Sequence, residues 1–146
     1  MDVILKSTRN LPWVLDLIKD HHDTMPDELK PKNLSDLGDR LTTWYKIMIG
    51  NIPVGMTAYQ HITPNLAYVK RTIVHPDHRN MGVAKAAWIL MEDILKKNGY
   101  GKAFCHVFST NTAMVNVRVK AGFVIEGLLK DHDALGIHCY VLGKKL

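Results

Sequence analysis

Apolar and polar positions recur along this chain with two different periods, and the changes between them set out the elements. The opening "DVILK" fits a short strand. Asn10 ahead of Pro12 is a helix-start signal, and Val14, Leu17 and Ile18 of "PWVLDLIKDHH" fall on one helical stripe. Two prolines among the polar residues of 23–33 mark a loop, after which Ser35 reads as the cap of a second short helix carrying Leu37 and Leu41. From Trp44 the period becomes two. "WYKIMI", "VGMTAYQHI" and "LAYVKRTIV", joined by "GNIP" and "TPN", predict an antiparallel meander of three strands. A long amphipathic helix follows, with Val83, Ala87, Leu90 or Met91, and Ile94 at helical spacing and "NG" at 98–99 as its stop. "KAFCHVF" is a fifth strand, and the helix before it allows parallel pairing with the strand ending at Val74. Asn111 caps a further helix ending near "KAGF", and "VIEGLL" and "HCYVLG" form a closing hairpin around "KDHDALG". The expected product is one α/β (α+β) domain over residues 1–146, a mixed, mostly antiparallel sheet of about seven strands with four helices on its faces.

Composition narrows the class. At 146 residues, 47% hydrophobic and 23% charged, the chain can bury one core without disulfides or a structural metal. No internal repeat, membrane-length apolar run or secretory leader is visible, so a cytoplasmic protein without membrane partners is expected. Cys105 and Cys139 each lie in an apolar strand-like run and read as buried thiols rather than a disulfide. The net charge of +5 is uneven: residues 1–73 carry nine Lys/Arg against eight Asp/Glu, and residues 74–146 carry ten against six. A basic second half suits an anionic ligand such as a phosphorylated cofactor. A nucleic acid ranks last, because neither a stacking aromatic motif nor a helix-turn-helix signature is present.

The stretch "IVHPDHRNMGVAKAAW", from residue 73, runs from a β-branched pair through a polar turn into the long helix, with Gly82 at its mouth. A helix N-terminus with small residues in its first turn attracts anions through unpaired N–H groups and the helix dipole. Taken singly, Gly82 is also a plain turn residue, Arg79 a solvated charge and Asn111 an ordinary cap. Together they resemble something more specific. Arg79, Asn80, Met81, Gly82, Val83 and Ala84 look like the phosphate loop of the GNAT superfamily of acyl-CoA-dependent N-acetyltransferases: Arg or Gln, two residues, Gly, one residue, then Gly or Ala. "NTAMVNVRVKAGFVIEG" resembles the same family's Asn-capped helix and Gly-Phe junction. The resemblance implies a GNAT-like fold with a splayed parallel pair at strands four and five, and acetyl-CoA as cosubstrate. It further implies amides from Asn80 to Ala84, with Lys85, around the pyrophosphate. The main chain of Thr72, Ile73 and Val74 would lie along the cofactor's amide arm, and Asn111 would touch it from the next helix.

The proton-transfer groups depart from the family pattern. Family members frequently protonate the departing thiolate with a Tyr five residues before the junction Phe; here that residue is Arg118, whose guanidinium gives up no proton near neutral pH. Where some relatives place a Glu base, this chain has His106, either a proton acceptor or a strand histidine satisfied by its neighbours. Tyr59, Tyr68 and Tyr140 are weaker donors, and His75, His78, "DHD" at 131–133 and His138 show no metal-ligand spacing. The implied activity is acetyl transfer to a primary amine of a small molecule, an amino sugar or a protein N-terminus, by a monomer or homodimer. Residues 21–33 and the "KDHDALGI" loop are expected around the acceptor. The alternative is a domain that binds acyl-CoA as a sensor or scaffold.

Overall fold

Strands at Val3–Thr8 (β1), Thr42–Ile49 (β2), Ile52–Thr63 (β3), Leu66–Val74 (β4), Lys102–Phe108 (β5), Val124–Ala134 (β6) and Ile137–Lys145 (β7) join in one sheet. The computed structural model describes residues 2–23, 25–37 and 41–146. The strand order is β1-β2-β3-β4-β5-β7-β6, and every neighbouring pair is antiparallel except β4 and β5. Helices cover both faces. Trp44 and Ile47 of β2 are three residues apart and so point to opposite sides. Trp44 packs with Met56, Ala58 and Ile73 under Val14, Leu15 and Ile18 of the helix Leu11–His21 (α1). Ile47 packs with Val54 against Val83 and Ala87 of the helix Val83–Lys97 (α2), whose Trp88, Met91 and Leu95 continue over Val69, Ala103 and Cys105. The buried stripe of α2 therefore runs through Met91 and Leu95; Leu90 and Ile94 flank it.

Side-chain caps fix the helix starts as expected. Asn10 Oδ1 accepts from Trp13 N at 3.2 Å, and Asn111 Oδ1 accepts from Met114 N at 3.2 Å at the head of the helix Thr112–Lys120 (α3). Three α-helices are present among the described residues where four were expected. The missing one is the segment after Ser35: Leu34–Leu37 makes a single 3-10 turn, and 38–40 lie outside the described residues. Ser35 sits inside that turn and donates to Asn33, whose side chain accepts from Asp36 N, so Asn33 takes the cap. Leu37 alone is buried there and Leu41 is exposed, leaving no apolar stripe to sustain a longer helix. The final hairpin also differs, since β6 continues through the polar "KDHDA" and turns at Leu135 and Gly136. Both cysteines are buried free thiols.

The feature that makes a site is the brevity of the parallel pairing. β4 and β5 pair at Leu66 with Lys102, Ala67 with Ala103 and Tyr68 with Phe104, and then diverge. Beyond that point β4 is laddered to β3 alone and β5 to β7 alone. A bulge adds to the divergence: Thr57 of β3 faces both Arg71 and Thr72, with Arg71 at φ 59. Just past the bulge the backbones of β3 and β4 nearly touch, and a Cβ at Gly55 would land on the carbonyl oxygen of Ile73. We expect Gly55→Ala to destabilise the protein by about 1–3 kcal/mol, as forced overpacking does; urea unfolding with an unchanged m-value would read it, and wild-type stability would show that the strands part without cost.

Candidate functional site

A cleft of about 360 Å³ opens where β4 leaves β5. Thr72, Ile73 and Val74 form one wall, and Arg79, Asn80, Gly82, Val83, Ala84 and Lys85 form its head, with Asn111 opposite. Of the residues that the motif assigned to the cofactor, only Met81 is outside the lining; it is 53% exposed. The head is shaped by backbone conformation. Asn80 and Gly82 both lie in the left-handed region, at φ 60 and 79, which Asn tolerates and Gly adopts freely. Among the described residues, no atom beyond the neighbouring chain lies within 4 Å of a Cβ built on Gly82, so its need is conformational. Gly82 also brings no side-chain cap to α2, and the first turn holds no acidic residue. The first-turn amides and the positive end of the dipole thus have no cap or acidic residue of their own, and Asp23 in the cleft lining is already paired with Arg79. A phosphate oxygen fits that vacancy of charge, which is the sense in which these residues suit CoA.

Arg79 does something other than wait for a ligand. Its Nε donates to Val74 O at 2.9 Å, its Nη2 donates to His21 O at 2.9 Å, and its Nη1 pairs with the Asp23 carboxylate. The guanidinium is a clamp between the end of α1 and the end of β4. Arg79 beside it, chiefly through the hydrogen bond, holds the Asp23 carboxyl below the usual carboxylate range.

A smaller chamber of about 70 Å³ lies deeper in the splay and shares Thr72, His22, Asn111 and Met114 with the cleft. His106 is on its wall, packed edge-on to His132 (ring centroids 5.4 Å apart) and tilted against Tyr68 (5.1 Å). Burial lowers the His106 pKa, and the neighbouring His132 lowers it further. Tyr68 is stacked on Phe104, and burial pushes its hydroxyl up to about 12, which makes it a poor proton donor. Arg118 is the one buried residue of α3, 4% exposed. Its Nη2 donates to Thr72 Oγ1 at 2.9 Å, Thr72 in turn contacts Thr57 Oγ1 at 2.9 Å, and its guanidinium lies 5.6 Å from the ring centres of Trp88 and Phe123.

The model of the Acetyltransferase (GNAT) family matches residues 6–123 of the sequence. The chain belongs to the GNAT acetyltransferase family. Solved structures agree on the fold. The ribosomal-protein-S18-alanine N-acetyltransferase from Escherichia coli superposes with a TM-score of 0.79 at 14% identity, over 99% of this chain and 94% of that one. A GNAT family acetyltransferase from Elizabethkingia anophelis with acetyl-CoA bound gives 0.80 at 16% identity, over 99% and 98%. A mutant spermidine/spermine N-acetyltransferase from Vibrio cholerae gives 0.79 at 15%, over 98% and 93%. A search of curated proteins finds no significant match.

Within this GNAT fold the motif residues and His106 come together around one splay, with His132 of the closing hairpin packed on His106 and Asp133 reaching it by its field, whereas Asp131 and His138 are not on the chamber wall. Asp131 and His138 close the β6–β7 turn region instead: Asp131 N donates to His138 Nδ1 at 3.0 Å, and Gly136 N donates to Asp131 Oδ1 at 2.6 Å. Two residues of the chamber were not singled out from the sequence, although His22 falls in the 21–33 segment expected around the acceptor. Arg71 is one, since a charged residue in a strand reads as solvent-facing. His22 is the other; it lies on both walls, and burial with the fields of Arg71 and Lys30 lowers its pKa to about 4. The unfolded chain therefore binds the extra proton between about pH 6.5 and 4, so stability is full above pH 6.5 and falls as the pH drops through that window. The expected loss is on the order of 3 kcal/mol. Urea unfolding at pH 7 and pH 4 reads it, and His22→Gln should flatten the dependence; an equally steep curve in that variant would move the effect to other groups.

Proposed function

We propose that this protein transfers the acetyl group of acetyl-CoA to a primary amine, with His106 as the proton acceptor. The observation that carries the reading is continuity. The uncapped head of α2, the β4 edge without a strand partner and the chamber holding His106 form one path from an anion site to a base. Bound acetyl-CoA supplies a thioester already activated toward attack by nitrogen. The chain's own contribution is placement and proton handling. Amides of the Asn80–Ala84 loop and of Lys85 replace water around phosphate oxygens, and the open edge at Thr72–Val74 offers backbone groups to an extended amide-bearing arm. Asn111 stands across the cleft from that edge. Holding two reactants in this way lowers the barrier by converting a bimolecular encounter into a local one.

His106 suits the base role for a stated reason. Its lowered pKa keeps the imidazole neutral at pH 7, ready to take a proton from an ammonium directly or through water. His22, at about 4, holds a proton too weakly to compete. Arg118 favours a second reading, a domain that binds acyl-CoA without turnover, because it removes the family's frequent acid from the thiolate side.

Thermal unfolding with and without acetyl-CoA tests the first step. A ligand at one hundred times its dissociation constant adds about 2.7 kcal/mol. Gly82→Val should weaken that shift at least tenfold in concentration by straining the cradle. Release of free CoA thiol with a panel of amines then separates enzyme from sensor. For a competent amine, wild-type kcat/KM should rise with an apparent pKa below 6.5, and His106→Ala should lose that limb; full rate in the variant across pH 6 to 9 would remove the base assignment.

A further inference from the structure

The chamber has a charge pattern that acetyl transfer alone does not call for. Arg118 is almost wholly buried, its Nε has no hydrogen-bond partner, and its guanidinium makes one hydrogen bond, to a neutral hydroxyl. No carboxylate lies within 4 Å of it among the described residues. The Cys105 thiol beside it is not a counter-ion, because burial raises its pKa and keeps it neutral. Arg71 stands on the same chamber wall, half-buried, with Met25 Sδ at 4.0 Å. Asp133 reaches Arg71 and His106 by its field without an ion pair. Burying a guanidinium without a counter-charge is strongly unfavourable, and ring stacking offsets only part of that.

We propose that this chamber receives the carboxylate of the amine acceptor, so that the substrates are α-amino acids and close relatives, with Arg118 and Arg71 as counter-ions. The proposal rests on the acetyl-transfer reading above. Size and spacing support it. A space of about 70 Å³ has room for several waters, and hence for a carboxylate with the carbon that bears it. His106 lies in the same wall, so the amine and the carboxylate have to be close together, as they are on one α-carbon. A guanidinium fork matches a carboxylate in two hydrogen bonds, which a hydroxyl or an amide does not reproduce. The chemistry balances simply: the neutral amine nitrogen forms a bond to the acyl carbon, the carbon–sulfur bond breaks, the proton that the nitrogen then sheds passes to the departing sulfur, and CoA leaves as its thiol while the carboxylate is unchanged.

The test uses the full chain saturated with CoA, titrated with each common α-amino acid and separately with its carboxamide, read as a thermal shift. At least one amino acid is expected to bind tenfold or more tightly than its amide, and to be acetylated from acetyl-CoA with the same preference. Arg118→Gln should raise the KM of the acid to that of the amide. Arg71→Asn, which tolerates the left-handed backbone there, should narrow the gap even if the first variant fails to fold. Equal binding of acid and amide overturns the proposal, as does a preference that survives both substitutions. Preferred transfer from succinyl-CoA to amines without a carboxylate overturns it too, since the anion would then sit on the donor. If CoA itself gives no shift, the acetyl-transfer reading fails and takes this proposal with it.

Discussion

A strand edge inside a protein needs hydrogen-bond partners, and past Tyr68 one edge of β4 has no neighbouring strand. That constraint organises the molecule. A continuous sheet would have buried this edge in a ladder; three residue pairs of parallel contact followed by divergence leave it open while the rest of the sheet stays laddered. The bulge at Arg71 and Thr72 turns the strand away, and the close approach of Gly55 to Ile73 keeps β3 seated behind it. Packing on both faces holds the opening in place, because α1 and α2 each bury an apolar stripe against strands on the two sides of the sheet.

Electrostatics then divide the opening into two regions. At the head, the field comes from backbone: a helix start without acid or cap, preceded by two left-handed residues. In the deeper chamber it comes from guanidinium groups, while the imidazoles around them are kept neutral by burial. The two regions share Thr72, whose hydroxyl joins the β3–β4 bulge to α3 through Arg118. A single hydroxyl thus ties the strand that borders the cleft to the helix that closes the chamber.

Much of this was readable from the residues, for identifiable reasons. Period-two runs gave the meander, and Asn10 and Asn111 gave the helix starts, because capping is local chemistry. The motif residues are legible because their pattern is local, centred on a glycine, and all but Met81 line the cleft. What escaped depended on tertiary surroundings. Ser35 looks like a cap, yet Asn33 two residues earlier makes the bonds, and one buried leucine cannot carry a helix. "KDHDA" reads as a turn because β6 is an edge strand exposed along nearly all its length, and an edge without a buried face shows no alternation. Arg118 was visible as a departure from pattern, but basic residues in a last helical turn are usually solvated, so its burial had no trace in the sequence. His22 closes a helix with no period to mark it.

The clamp made by Arg79 has a consequence for the thermodynamics of ligand capture. A loop carrying two left-handed residues would ordinarily be mobile and would lose chain entropy when a ligand ordered it. Here three donors of one side chain tie the start of that loop to partners up to 58 residues away in sequence. The loss of freedom therefore belongs to folding and is complete before any anion arrives. Any anion bound at this helix head would then meet a loop already ordered by Arg79, and less of its contact energy would be spent on fixing the chain.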